Sequence, residues 1–207
     1  MKFHRIIPRK ISTSFAVSAA CALSLAGCGG GGSSGGISGS QMTQQTASGF
    51  VDTALVSNKT GVVATTTTLD ANLSNPWGLV TAKGLPFWIA DNNSNVASLY
   101  SGTGQIQTNA VTGSATTAIA IPASATGVAA SPTGQVYNGN GGFLIPTSNG
   151  QETSLFIFSG EGGTISAWAK DSGATAATAY DDGVVNGTAH AVYKGLALGS
   201  VNGASFL

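Results

Sequence analysis

The segment FWIADNNSNVASLY, residues 87–100, has the pattern of a β-hairpin, with two β-prone runs on either side of a turn of small polar residues. The segment LFIFSGEGGTISAW, residues 155–168, repeats this order of strand, turn and strand, and in both segments the second strand ends in an aromatic residue. Asn and Gly tolerate the positive φ angles that tight turns require. The offset of 68 residues between the two segments indicates an internal repeat.

A second recurring element is a glycine followed by alternating apolar residues. It is found around Gly78 (PWGLV), Gly127 (ATGVA) and Gly195 (YKGLA). The unequal spacing of these glycines indicates an insertion at residues 138–154, which is rich in Asn and Gly. Long loops on rigid scaffolds often carry binding function, so we expect specialised contacts in this insertion.

Residues 50–207 are predicted to be an all-β domain of β-propeller-like repeats, each a sheet of short antiparallel strands. A β-sandwich has the same kinds of strand but not this repeated order. The third repeat should place its hairpin about 10 residues after Gly195, at residues 204–207. We therefore expect an incomplete propeller of about two and a half blades, with a truncated reading frame as the explanation. The alternative is a small protein that closes its ring by oligomerising.

Five motifs carry a family resemblance that runs from about Leu55 to Leu207. They are NPWG (75–78), FWIADN (87–92), LYSG (99–102), GTISAW (163–168) and AVYKGLA (191–197). In these motifs the chain resembles uncharacterised exported bacterial proteins, a PEP-CTERM-associated conserved hypothetical family with predicted propellers similar to NHL-repeat proteins. The resemblance implies export, a propeller and longer members with further blades, but no activity.

Residues 1–27 have the features of a bacterial lipoprotein signal peptide. A basic start is followed by an apolar stretch too short and too rich in small residues for a membrane span, and then by LAGC, a lipobox-like motif ending at Cys28. We expect lipid on the Cys28 thiol, the alternative being an ordinary secretory signal with a chance cysteine. Gly29, in place of Asp, favours the outer membrane if the cell has one. Residues 28–49 are predicted to be a flexible Gly/Ser-rich tether.

Composition excludes several classes of function. The chain has 8 basic and 8 acidic residues, and four of the basic ones lie in the first ten positions. The mature protein is therefore acidic, which excludes nucleic acid as a partner. Its two cysteines are Cys21, within the signal peptide, and Cys28. The mature domain therefore has no disulfide, no catalytic thiol and no Cys metal site.

Three groups of polar residues are candidates for catalytic or metal sites. His190 is the one histidine beyond the signal peptide, and without a plausible nucleophile it is interpreted as a loop residue. Residues 91–95 (DNNSN) resemble the start of a calcium loop but lack its later Gly and Glu, since these positions hold Val96 and Gly102. Asp181 and Asp182 have oxygens suited to a metal, but a solvated turn explains them equally well.

Aromatic residues recur at equivalent strand positions. We interpret Trp77, Trp88, Tyr100 and Trp168 as residues that pack the blades together. If some of them face a groove instead, they could stack on sugar rings or on a peptide.

The favoured function is a lipid-anchored exported module that binds an unknown protein or glycan and is not an enzyme. The alternative is a fragment of a propeller hydrolase similar to calcium-dependent lactonases and phosphotriesterases. Glu152 and Glu161, the only glutamates, do not lie on predicted channel strands, which weighs against that alternative. No cofactor is predicted, and calcium belongs only to the alternative. A product without function is the third interpretation.

Overall fold

The computed structural model of this 207-residue chain describes residues 53–61, 67–108, 117–182 and 191–207. The chain divides into two units, Met1–Ser38 and Gly39–Leu207, and every described residue lies in the second. The predicted signal peptide, Cys28, the predicted tether and His190 lie outside the described residues. Among the residues that are described, no helix is long and apolar enough to cross a membrane.

The described part of the chain is all-β, as predicted, with fourteen short strands and a single 3₁₀ turn at Lys170–Ser172. The strands are β1 (Val56–Ser57), β2 (Thr68–Leu69), β3 (Pro76–Val80), β4 (Phe87–Asp91), β5 (Val96–Tyr100), β6 (Ala118–Ala120), β7 (Pro132–Tyr137), β8 (Leu144–Thr147), β9 (Gly150–Thr153), β10 (Phe156–Gly160), β11 (Thr164–Trp168), β12 (Ala177–Asp181), β13 (Gly199–Val201) and β14 (Ala204–Phe206). They form small sheets, and none of these sheets closes on itself.

Sheet I consists of β3, β4, β5 and β6, which pair in chain order and are antiparallel. The hairpin predicted at residues 87–100 is confirmed, since β4 pairs with β5 from Phe87 opposite Tyr100 to Asp91 opposite Val96. Asn95 in its turn has a φ of 56°. This is the left-handed conformation that Asn adopts more readily than most residues.

Sheet II consists of β7, β10, β11 and β12 in that order, again antiparallel. The hairpin predicted at residues 155–168 is confirmed as β10–β11. The predicted insertion is also present, since residues 138–155 separate β7 from β10, whereas residues 81–86 separate β3 from β4. This extra chain forms a hairpin of its own, β8–β9.

The main core lies between sheet I and sheet II. Trp88 on β4 stacks on Phe156 on β10 with ring centroids 4.0 Å apart, and Trp168 lies 5.1 Å from Trp88. All three side chains are at most 1% exposed. Burial of such large apolar surfaces holds the two sheets together.

A second core covers the other face of sheet II. Ile157 on β10 and Ala167 on β11 pack there with Ile145 from β8, and Leu196 is partly buried against the same cluster. The inserted hairpin and the segment around Leu196 therefore cover the side of sheet II that faces away from sheet I.

The structure corrects the assignment of the second glycine element. Residues 125–129 form no strand, and Gly127 has a φ of 84°, which places it in a turn. The glycine that corresponds to Gly78 is Gly134 on β7, because β3 and β7 are the first strands of their sheets. Residues 191–198, here called segment III, contain Gly195 and belong to no strand.

Candidate functional site

An apolar groove of about 440 Å³ lies on the face of sheet I that is opposite the main core. One wall consists of Trp77 and Leu79 from β3 with Phe87 and Ile89 from β4, and the opposite wall includes Leu55, just before β1. Because side chains alternate along a strand, Trp77 and Leu79 face the groove while Gly78 faces sheet II.

Three of these apolar side chains are exposed and lie together in the groove. Trp77 is 47% exposed, Leu79 62% and Leu55 42%. Single exposed apolar residues are common, but a contiguous apolar patch marks an interaction site. The groove is thus the strongest candidate for a binding surface among the described residues.

A charged network borders the groove at Trp77. The ammonium group of Lys194 lies 5.6 Å from the centroid of the Trp77 ring, a cation–π contact, and also pairs with Glu161. The hydrogen bonds that Lys194 and Asn92 donate to Glu161 hold the pKa of its carboxyl below the usual value. One side of the Trp77 ring is therefore held by segment III of the same chain.

A buried polar cluster lies on the same face of sheet I. Ser98 donates to Oδ2 of Asp91 at 2.5 Å, and the Tyr100 hydroxyl donates to Oδ2 of Asp70 at 2.8 Å. Burial raises the pKa of Asp91 from 3.8 to about 7, the charge of Asp70 adds to this effect, and the bond from Ser98 opposes it. Burial also raises the pKa of Tyr100.

This cluster cannot reach a substrate. Asp91 is fully buried, and its Oδ1 atom has no hydrogen-bond partner. A general acid or base must approach the proton that it transfers to within hydrogen-bond distance. The carboxyl with a pKa near neutrality is therefore a feature of the core, not of an open catalytic site.

The polar turn at residues 91–95, which resembles the start of a calcium loop, joins sheet I to the chain before β7. Asn92 donates to the carbonyl of Ser131 at 3.0 Å, and Asn95 accepts from its backbone N–H at 2.8 Å. Asn75 donates to Asn92 at 3.1 Å. These amide groups are engaged in holding two parts of the fold together.

The adjacent aspartates are also acceptors for backbone groups. Asp181 accepts from the N–H of Ala125 at 2.6 Å, and Asp182 accepts from the N–H of Ala191 at 2.7 Å. Within the described ranges, no group of three or more His, Cys, Asp and Glu side chains is placed to share a metal ion.

The four recurring aromatic residues have different roles. The predicted packing role is confirmed for Trp88 and Trp168, and Tyr100 is buried at 2% exposure. Trp77 differs, because it faces the groove. The insertion at residues 138–154 is not simply an open loop, because its Ile145 is buried in the second core.

Two members of the buried cluster, Asp70 and Ser98, were not predicted. Ser98 could have been found, because once residues 92–95 form the turn, Asp91 and Ser98 fall on the same face of the hairpin. The position of Asp70 beside Tyr100 could not be predicted from a local sequence pattern, because the two residues are far apart in the sequence. Asp70 comes to Tyr100 through the pairing of β1 with β2 and the packing of both against sheet I.

Comparison of the chain with known protein families, with curated proteins and with solved structures finds no match.

Proposed function

We propose that this chain is a lipid-anchored, exported binding module of the β-propeller type, without enzymatic activity, whose binding surface is the groove on sheet I. The observation that carries the proposal is the exposure of Trp77 and Leu79 side by side on an otherwise well-packed sheet. Exposed apolar area of this kind is stabilised when a partner covers it.

The chemistry of the groove favours an apolar protein surface over a glycan. Its walls are Leu, Ile, Phe and Trp side chains, and the Tyr100 hydroxyl is already bonded to Asp70. A sugar needs several hydrogen-bond partners beside an aromatic platform, because its hydroxyls lose water on binding.

Two four-stranded antiparallel sheets that pack face to face support the propeller assignment. The equivalent hairpins at residues 87–100 and 155–168 and the glycines on β3 and β7 support it further. In this interpretation sheet I and sheet II are successive blades, and segment III begins a third. The basic and apolar leader of residues 1–27 and the lipobox-like motif that ends at Cys28 support export and lipid anchoring.

The proposal is tested by photo-crosslinking in cells that produce the full chain. The photoreactive residue p-benzoylphenylalanine replaces Leu79 in the groove or, as a control, Ala179, which is exposed on the outer strand β12. We expect a discrete adduct at position 79 and none at position 179. The absence of an adduct at 79, or equal labelling at both positions, would show that the groove is not a binding surface.

A further inference from the structure

The same kind of contact occurs twice between neighbouring parts of the fold. In each case a glycine, which has no side chain, allows the backbone of the next part to approach closely. A Cβ atom at Gly78 would lie 2.7 Å from the carbonyl oxygen of Thr133, beside Gly134. A Cβ atom at Gly134 would collide with the backbone of Leu196, beside Gly195. Each glycine therefore faces the residues that flank the next glycine in the series.

Among the residues that the structure describes, the series is open at both ends. Gly195 is exposed, and a Cβ atom placed there would have no described neighbour within 4 Å. At the other end, the residues that flank Gly78 are Trp77 and Leu79, and they form the exposed wall of the groove. Because this kind of glycine contact occurs twice within the chain, we expect Gly195 to accept the backbone of a strand like β3 in the same way.

Exposed apolar side chains also follow Gly195 closely in the sequence. Segment III continues into the β13–β14 hairpin, where Val201 is 61% and Phe206 55% exposed. Exposed apolar residues are thus found both beside Gly78 and in the hairpin that follows Gly195.

We propose that the partner of the groove is a second copy of this chain. Segment III and the β13–β14 hairpin of one copy dock on sheet I of the next, with Gly195 facing Trp77 and Leu79. This inference rests on the proposed binding role of the groove and names its occupant. A second copy is favoured because the contact continues the interface that joins sheet I to sheet II and sheet II to segment III.

Such a contact is heterologous, because each copy uses two different surfaces. Repeated addition produces a closed ring if the rotation between copies allows closure and a filament if it does not. In either case every internal copy covers both of its apolar surfaces.

The first test places bulk at Gly195. In the full chain extracted from membranes in detergent, we expect the wild-type protein to sediment as an oligomer. Gly195→Val should weaken association at least about tenfold, since the added side chain occupies the space needed by the incoming strand. Ala179→Val adds bulk at an exposed site outside the interface and should not change association. Near-UV circular dichroism of the Trp88 cluster reports whether each variant is folded.

The second test uses Leu79→Lys, which places a charge on the opposite surface. This variant should also fail to assemble, and it decides the question if Gly195→Val does not fold. A mixture of Gly195→Val and Leu79→Lys should form dimers and nothing larger, because one intact contact can form between the two variants. A monomeric wild-type chain, assembly of either folded variant at wild-type strength, or a mixture that stays monomeric would overturn the proposal.

The crosslink at position 79 separates this inference from the proposed function. An adduct with the mass of two chains, joined between position 79 and segment III or β13–β14, supports both. An adduct with another macromolecule keeps the binding role of the groove and overturns self-association. The absence of any adduct overturns both.

Discussion

At the scale of single residues, Asp91 shows how burial controls ionisation. Its carboxyl has no exposed surface, and its pKa is raised from 3.8 to about 7. Between these values the folded protein holds a proton that the unfolded chain releases. The free energy of unfolding therefore falls as pH rises through this window, by at most about 1.4 kcal/mol for each pH unit.

We predict that Asp91→Asn removes this part of the pH dependence, because the amide does not ionise. Urea unfolding of the wild type and the variant at several pH values between 4 and 8 measures the effect. The control is Asp171→Asn, which alters an exposed carboxyl and should leave the slope intact. An unchanged slope in Asp91→Asn would mean that Asp91 is already ionised in the folded protein at low pH.

Glycines show what a sequence pattern cannot settle at this scale. Gly127 and Gly134 are both followed by apolar residues within two positions, but only Gly134 lies on a strand. The difference is tertiary, since the space at Gly134 is filled by Leu196, which is remote in sequence. A local pattern of glycine and apolar residues contains no information about that neighbour.

At the scale of elements, the two hairpins were predictable because a turn and its flanking strands are local. The β13–β14 hairpin has an equally local signal, Asn202-Gly203, where both residues have positive φ. The sequence pattern did not predict this hairpin, because the repeat places residues 204–207 in a third hairpin like those at 87–100 and 155–168. The packing of the β8–β9 hairpin could not be predicted, because it depends on contacts across sheet II.

We predict that the β8–β9 hairpin is held to sheet II mainly by Ile145, which is 1% exposed. Ile145→Ala should lower the free energy of unfolding by about 2–5 kcal/mol, because it leaves a cavity above Ile157. The matched control is the adjacent Leu144, which is 63% exposed, and Leu144→Ala should cost less than about 0.5 kcal/mol. Chemical denaturation measures both, and equal losses would contradict the assigned orientation of β8.

At the scale of the whole molecule, the 68-residue repeat predicts two successive, equivalent sheets. It does not predict the groove. A repeat predicts equivalent side chains in equivalent places, and Trp88 and Phe156 do meet in the core. Trp77 departs from this pattern because it lies at one end of the packed series, where no sheet among the described residues covers β3. Exposure at an end is a property of the assembled fold.

A further prediction concerns the proposed membrane anchor. If Cys28 is lipidated, the protein extracted from membranes has the intact mass of residues 28–207 plus the lipid, and Cys28→Ser abolishes both the lipid and this cleavage. An ordinary secretory signal predicts a mass without lipid that Cys28→Ser does not change. Cys21→Ser is the control, because Cys21 lies within the predicted signal peptide, and this variant should match the wild type.

If the chain is both lipid-anchored and self-associating, the two properties reinforce each other. Copies held on one membrane surface meet at a high effective concentration, so a contact that is weak in solution can be populated there. We therefore expect Cys28→Ser to lower the yield of the crosslink at position 79 at equal amounts of exported protein, although the groove itself is unchanged. An equal yield with and without the lipid would show that the contact between copies does not depend on lipidation.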